Sequence, residues 1–226
     1  MKIMDKKKLQ KMGFTEILPP NAFVPAAERY NLMNLIDRKI ILETFSFIND
    51  NDEFDMGHTH YSINLSGNSL SDKDFAGHVL EQAERFDINT RRICFEITET
   101  AAIKNLHHAK SLIKQLKAAG FQFALDDFGS GLSSFHYLKN LDVDYLKIDG
   151  SFVKEILHDP IDREMVRSIN EIGHLTGKRT IAEFAENEDI ITMLRGMGVD
   201  YAQGYGVSEP KRVSNAMSYT DAPGEP

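Results

Sequence analysis

RICFEITETAAIKNLHHAKSLIKQLKAAGFQFALDD, residues 92–127, reads as a strand, a helix and a second strand. Arg92 to Ile97 is a short run rich in β-branched and aromatic side chains. Leu106 to Ala119 carries apolar residues at helical spacing and closes on Gly120, a residue suited to helix ends. Phe121 to Leu125 is the second strand; it runs into two aspartates and then a Gly/Ser loop, 129–134. A strand–helix–strand unit of this size joins parallel strands by a right-handed crossover.

The same alternation extends outward from this unit. Tyr61 to Leu65 precedes it as a strand, and Val143 to Ile148, Arg179 to Ala182 and Val199 to Gln203 follow as strands. Helices are expected over Asp72 to Phe86, with Phe75, Val79, Leu80 and Ala83 on one face, over Asp162 to Leu175, and over Glu188 to Met197. Ala26 to Phe47 carries Leu32, Leu35, Ile36, Ile40 and Phe45 at helical spacing, with a break near Asn31. Six strands alternating with helices imply an α/β fold with a parallel sheet, either a closed barrel or an open one. A complete (βα)8 barrel takes about 250 residues. At 226 residues the chain is shorter, and the opening strands of such a barrel are expected to be absent or degraded.

The chain carries 26 Lys+Arg against 34 Asp+Glu, a formal net charge of −8, and 42% hydrophobic residues. This is globular composition with enough apolar surface for a sizeable core. The acidic balance excludes broad nucleic-acid binding, so no DNA partner is expected. It allows a small anionic ligand whose charge is bridged by divalent cations. No apolar run reaches the roughly 20 residues of a membrane span, and Met1 to Lys11 is too charged for a signal peptide. Cys94 is the single cysteine, which excludes an intrachain disulfide framework. A cytoplasmic location without membrane contact is therefore expected. The expected domain plan is a lysine-rich arm or barrel remnant over 1–18, one barrel domain over 19–212 and a frayed tail over 213–226.

Chemistry-bearing residues recur at the strand ends: Asn64, Glu96, Asp126 and Asp127, Lys147 and Asp149, Glu183, and Gln203. In a parallel barrel those ends converge on one face, where active sites sit. Converging carboxylates repel unless a cation joins them. Hard oxygen ligands suit Mg²⁺ or Mn²⁺. Asp126 and Asp127 are a candidate bridge in a two-metal site, which clamps both oxygens of a phosphoryl displacement. Lys147 would position water or stabilise charge on a phosphate oxygen. His58, His60, His107, His108, His136, His158 and His174 share no ligand spacing and read as surface or structural residues. Cys94 reads as a small core residue. Gly129 and Gly131 lack a phosphate-binding spacing and read as turn formers. Phe128, Leu132 and Phe135 read either as locally buried or as a dimer patch.

The motifs NLS (64–66), FEITET (95–100), DDFGSGLSS (126–134), YLKIDGSFV (145–153), AEFAEN (182–187) and QGYGVSEP (203–210) together resemble the EAL-domain family. PPNAFVPAAERY (19–30) resembles the stretch after that family's first motif. The resemblance implies a modified (βα)8 TIM-like barrel, here incomplete at its N-terminal strands. It implies Mg²⁺- or Mn²⁺-dependent hydrolysis of cyclic di-GMP to pGpG. By the same resemblance, Asn64, Glu96 and Asp126 hold one metal, and Asp126 and Asp127 reach a second. Lys147 lies beside the attacking water, and Glu183 is a metal ligand or general base. Glu186 and Gln203 line the substrate pocket, while Glu99 and the loop Phe128, Gly129, Ser130 and Gly131 couple the metal site to a homodimer interface.

The chain departs from the family pattern in three places. A Thr and an aromatic are more usual in the loop that reads DDFGSGLSS, and AEGVET is more usual than AEFAEN. No E-A/V-L-x-R motif precedes Pro19. The family's Glu in that motif ligates metal and its Arg holds a phosphate, so weak metal binding and impaired catalysis are expected. The alternatives are a cyclic di-GMP-binding effector that does not cleave, or a dimerising interaction domain. A fragment of a longer protein with an upstream sensory or cyclase domain is a further expectation, as is dimerisation or strand exchange through unpaired strand edges.

Overall fold

Successive side chains of a strand point to opposite faces of its sheet. This period of two organises β1 (Tyr61–Leu65), β2 (Ile93–Thr98), β3 (Gln122–Phe128), β4 (Tyr145–Ile148), β5 (Arg179–Ala182) and β6 (Tyr201–Ala202). One face carries Ile63, Leu65, Phe95, Ile97, Phe123, Leu125, Leu146 and Ile148, all buried in the apolar core. The computed structural model describes residues 20–55, 59–130 and 135–210. Within them the strands form one six-stranded sheet in the order β1-β2-β3-β4-β5-β6, with every neighbouring pair parallel. Among the described residues no pairing joins β1 to β6. The expected arm over 1–18, the tail over 213–226 and Gly131 to Ser134 lie outside the described residues.

The helices are α1 (Pro20–Arg29), α2 (Met33–Asp55), α3 (Gly67–Ser71), α4 (Phe75–Arg85), α5 (Glu99–Lys104), α6 (Leu106–Ala118), α7 (Gly150–Lys154), α8 (Pro160–Leu175) and α9 (Glu188–Gly196). Local chemistry starts them. Asp159 accepts from the Ile161 amide at 2.7 Å, with Pro160 opening α8, and Asn187 accepts from the Ile190 amide at 3.0 Å to open α9. Val166, Ile169, Asn170 and Gly173 then form the buried stripe of α8, at the spacing of one helix face. The expected break at Asn31 separates α1 from α2, and Asn31 takes a left-handed conformation there (φ 54°).

Three side chains expected to face inward do not. Leu35 is 64% exposed, Ile40 42% and Leu80 36%. The buried face of α2 instead runs through Asp37, Ile41, Phe45 and Ile48, one residue out of phase with Ile40. Leu80 sits one helical step beyond the Phe75–Val79–Ala83 face. Behind the sheet the rings of Phe45, Phe121, Phe95 and Phe123 form a chain in that order, with successive centroids 6.5, 5.3 and 5.7 Å apart. Truncating Phe123 to alanine removes one link from this fully buried chain. We expect Phe123→Ala to lose about 3–5 kcal/mol of stability, read from urea unfolding.

Asp72 joins α2 to the turn before α4. It accepts from Arg38 at 2.7 Å, from Asn34 at 2.6 Å and from the Asp74 amide at 2.9 Å. The Arg38 hydrogen bond is the largest cause that holds its carboxyl below the ordinary 3.8, against a smaller opposing effect of burial. Because the folded-state pKa lies below the unfolded one, the stabilisation is complete above pH 3.8 and is lost as pH falls through the folded value. Arg38→Met is expected to remove this increment, so its urea midpoint falls less steeply than that of wild type below pH 3.8.

Candidate functional site

The sheet register carries the polar strand-end residues onto one face. Asn64 pairs directly with Glu96. Glu96 pairs with Ala124, and Asp126 lies two residues further along β3 on the same face. Ala124 pairs with Tyr145, two residues before Lys147. Lys147 pairs with Ile181, two residues before Glu183, and Ile181 pairs with Tyr201, two before Gln203. Steps of two preserve the face, so all six side chains belong to the side opposite the apolar core.

At the other end of this face the lining is aromatic. The Arg179 guanidinium lies over the rings of Tyr145 and Tyr201, at 4.4 and 5.6 Å from their centroids, and donates to both hydroxyls. Cys94 is buried on this face, and burial, reinforced by the Glu96 charge, pushes its thiol up to about 12. It is therefore a poor nucleophile, in keeping with its reading as a small core residue.

Lys147 is the electrostatic centre. Its side chain is 3% exposed, and its ammonium lies 2.9 Å from Glu96 and 2.8 Å from both Asp126 and Glu183. Burial works against its charge, but the Glu96 and Asp126 charges and the bonds from Asp126 and Glu183 outweigh it and hold the ammonium above its ordinary pKa. Burial, with the neighbouring Asp126 and Asp127 charges, raises the pKa of Glu183 despite Lys147. Burial also raises that of Asp127, with further pushes from Asp126 and Asp149.

Two adjacent aspartates on a regular strand would face opposite ways. Here the register of β3 shifts between Leu125 and Phe128, and Asp127 adopts φ 55°. That bulge turns both carboxylates to the same site. Oxygen atoms of Asp126, Asp127 and Glu183 all lie within 4.8 Å of one another. This hard, all-oxygen donor set fits a divalent cation of the Mg²⁺ class. Of the other expected ligands, Glu96 is engaged with Lys147, and Asn64 stands beside Glu96 at the end of β1.

The loop after β3 is tied down by Glu99, which is 4% exposed. Glu99 accepts from the Gly129 amide at 3.1 Å and from the Tyr137 hydroxyl. Gly129 is required, since it sits at φ 98° and a Cβ there would meet Ile169 Cδ1 at 2.8 Å. Ser130 donates to the Asp127 carbonyl at 2.9 Å, and Phe128 is fully buried, which decides its reading in favour of local packing. Gly131 falls outside the described residues.

Glu183, Glu186 and Gln203 line a cavity of about 390 Å³ together with Phe184, Tyr205 and Ser208. The Ala185 amide donates to the Gln203 carbonyl at 3.0 Å and the Ala185 carbonyl accepts from Gly206 at 2.8 Å, which stitches the two walls together. Phe184 holds φ 54°, a conformation that costs a non-glycine residue about 1–3 kcal/mol.

Three contributors were not foreseen from sequence. Tyr137 and Phe184 are two of them; the departure of AEFAEN from the more usual AEGVET was the available signal for Phe184. The third is Asp37, 2% exposed, which accepts from the Ser66 amide at 2.8 Å, the Ser66 hydroxyl at 2.6 Å and the Ser69 hydroxyl at 2.7 Å. It anchors the turn that follows Asn64, and its place amid an apolar helical stripe was the available signal.

The EAL-domain family model matches residues 13–210. The chain is 44% identical over 199 residues to the cyclic di-GMP phosphodiesterase PdeB of Shewanella oneidensis, covering 88% of this chain and 23% of that protein. It is 33% identical over 203 residues to the cyclic di-GMP phosphodiesterase PdeF of Escherichia coli, covering 90% and 27%. The chain thus spans about a quarter of the length of these curated relatives. Among solved structures, the PaMucR phosphodiesterase in complex with c-di-GMP superposes with a TM-score of 0.83 at 27% identity, over 90% of this chain and 82% of that one. The FimX EAL domain of Pseudomonas aeruginosa bound to c-di-GMP gives 0.80 at 29% identity, over 87% and 78%. Sequence motifs, six-stranded parallel sheet and family match agree: the chain belongs to the EAL-domain family.

Proposed function

We propose that this chain binds cyclic di-GMP and hydrolyses one of its phosphodiester bonds to give linear pGpG. The observation that carries the reading is the buried Lys147 ammonium held by carboxylates from β2, β3 and the end of β5, of which Glu183 also lines the neighbouring cavity. Asp126, Asp127 and Glu183, with Glu96 and Asn64 alongside, would hold Mg²⁺ or Mn²⁺. Such an ion, when bound, polarises a phosphate oxygen and lowers the pKa of water.

The residues of the chain supply the rest. Water attacks phosphorus as Glu183 takes its proton, Lys147 positions that water and stabilises charge on a phosphate oxygen, and the phosphorus–O3′ bond breaks, the 3′ oxygen gaining a proton from solvent as it leaves. Glu186 and Gln203 hold the substrate in the cavity they line with Glu183. The Glu99 contacts to Gly129 and Tyr137 support a loop that links this site to a homodimer contact. No helix among the described residues is long and apolar enough to cross a membrane.

The test is production of pGpG from cyclic di-GMP in millimolar Mg²⁺ or Mn²⁺, with binding read by calorimetry on the same samples. Turnover by the wild-type chain that Glu183→Ala abolishes supports the enzyme. Binding without turnover assigns an effector instead, and an unusually high Mg²⁺ requirement would mark the weak first metal site expected from the sequence.

Lys147→Met is expected to lower turnover by about 10²-fold or more. It also leaves three carboxylates without their buried counter-charge, at a cost of about 3–5 kcal/mol in metal-free buffer. Added Mg²⁺ should restore much of its melting temperature, with a larger shift than in wild type.

A further inference from the structure

Phe184 combines features that packing alone does not explain. It lies between the expected catalytic Glu183 and the remainder of the loop that ends in Glu186, and its side chain lines the same cavity as Glu186 and Gln203. The residue is 49% exposed although it is a large apolar ring, and it holds φ 54°, a backbone conformation that glycine adopts without strain. Its ring is nonetheless closely seated. It rests on Gly150, where an added Cβ would come within 2.0 Å of it, and the Lys154 ammonium stands 4.1 Å from its centroid. A strained, half-exposed aromatic ring that is held on two sides and opens onto a ligand cavity is built to meet a flat partner.

We propose that Phe184 is a ligand-binding contact of this chain: its ring forms an aromatic wall of the cavity against which a purine base of the ligand stacks. The proposal rests on the cyclic di-GMP reading and adds to it the residue that grips the base. Stacking is tolerant of base identity, so Phe184 supplies affinity while Glu186 and Gln203 read the base edge. The effect is therefore read in binding.

The chain contains no tryptophan, so Phe184→Trp installs a single indole whose emission reports stacking directly. Phe184→Gly removes the ring and suits the backbone, so loss of fold does not confuse its reading. With cyclic di-GMP and Mg²⁺ as probes, we expect Phe184→Gly to bind about 10-fold or more weakly than wild type. We expect Phe184→Trp to keep wild-type affinity and to show saturable quenching with the dissociation constant measured calorimetrically. Wild-type affinity in Phe184→Gly, or an indole whose emission ligand leaves unchanged, overturns the contact while leaving the functional reading intact. Absence of cyclic di-GMP binding by the wild-type chain overturns the functional reading and the contact with it.

Discussion

A lysine ammonium at 3% exposure cannot remain charged in a protein interior unless its lost hydration is replaced, and Lys147 has three carboxylates to replace it. Each comes from a different strand or strand end. The pairing of β2, β3, β4 and β5 in register is thus an electrostatic requirement as well as a matter of backbone hydrogen bonding. A one-residue slip of any of these strands would turn its charged residue into the apolar layer against the helices. The charge cluster and the apolar core therefore enforce the same register from opposite faces of one sheet.

The irregular features sit where that regularity has to be broken. The bulge in β3 turns Asp127 out of strand alternation toward Asp126. Gly129 and Glu99 then fix the chain as it leaves the site, and Asp37 does the equivalent for the turn after Asn64. Two buried carboxylates from two helices, Glu99 of α5 and Asp37 of α2, thus hold the loop side of the site.

Much of this was legible in the sequence, because period-two alternation and strand-end chemistry are local signals. Tyr61–Leu65 and Arg179–Ala182 coincide with the strands read from the residues, and the break at Asn31 falls where helical spacing faltered. Asn64, Glu96, Asp126, Lys147, Glu183 and Gln203 share one face as their positions implied. What was not legible depends on distant contacts. Leu35, Ile40 and Leu80 have the composition of core residues, and only the rotation of their helices against the sheet decides their exposure. Asp37 looks like an interruption of an apolar stripe until Ser66 and Ser69 are brought to it from across the chain. Tyr137 gains its role only once the fold brings Glu99 within reach.

The seat of Phe184 on Gly150 links two positions 34 residues apart in a way that gives their history a direction. With the phenyl ring in place, any side chain at position 150 would have its first carbon 2.0 Å from a ring atom. With glycine at 184, position 150 is released from that contact. Substitutions at the pair are therefore accessible in one order only, the ring leaving before the glycine changes. While the ring stays in this seat, position 150 has room for glycine alone.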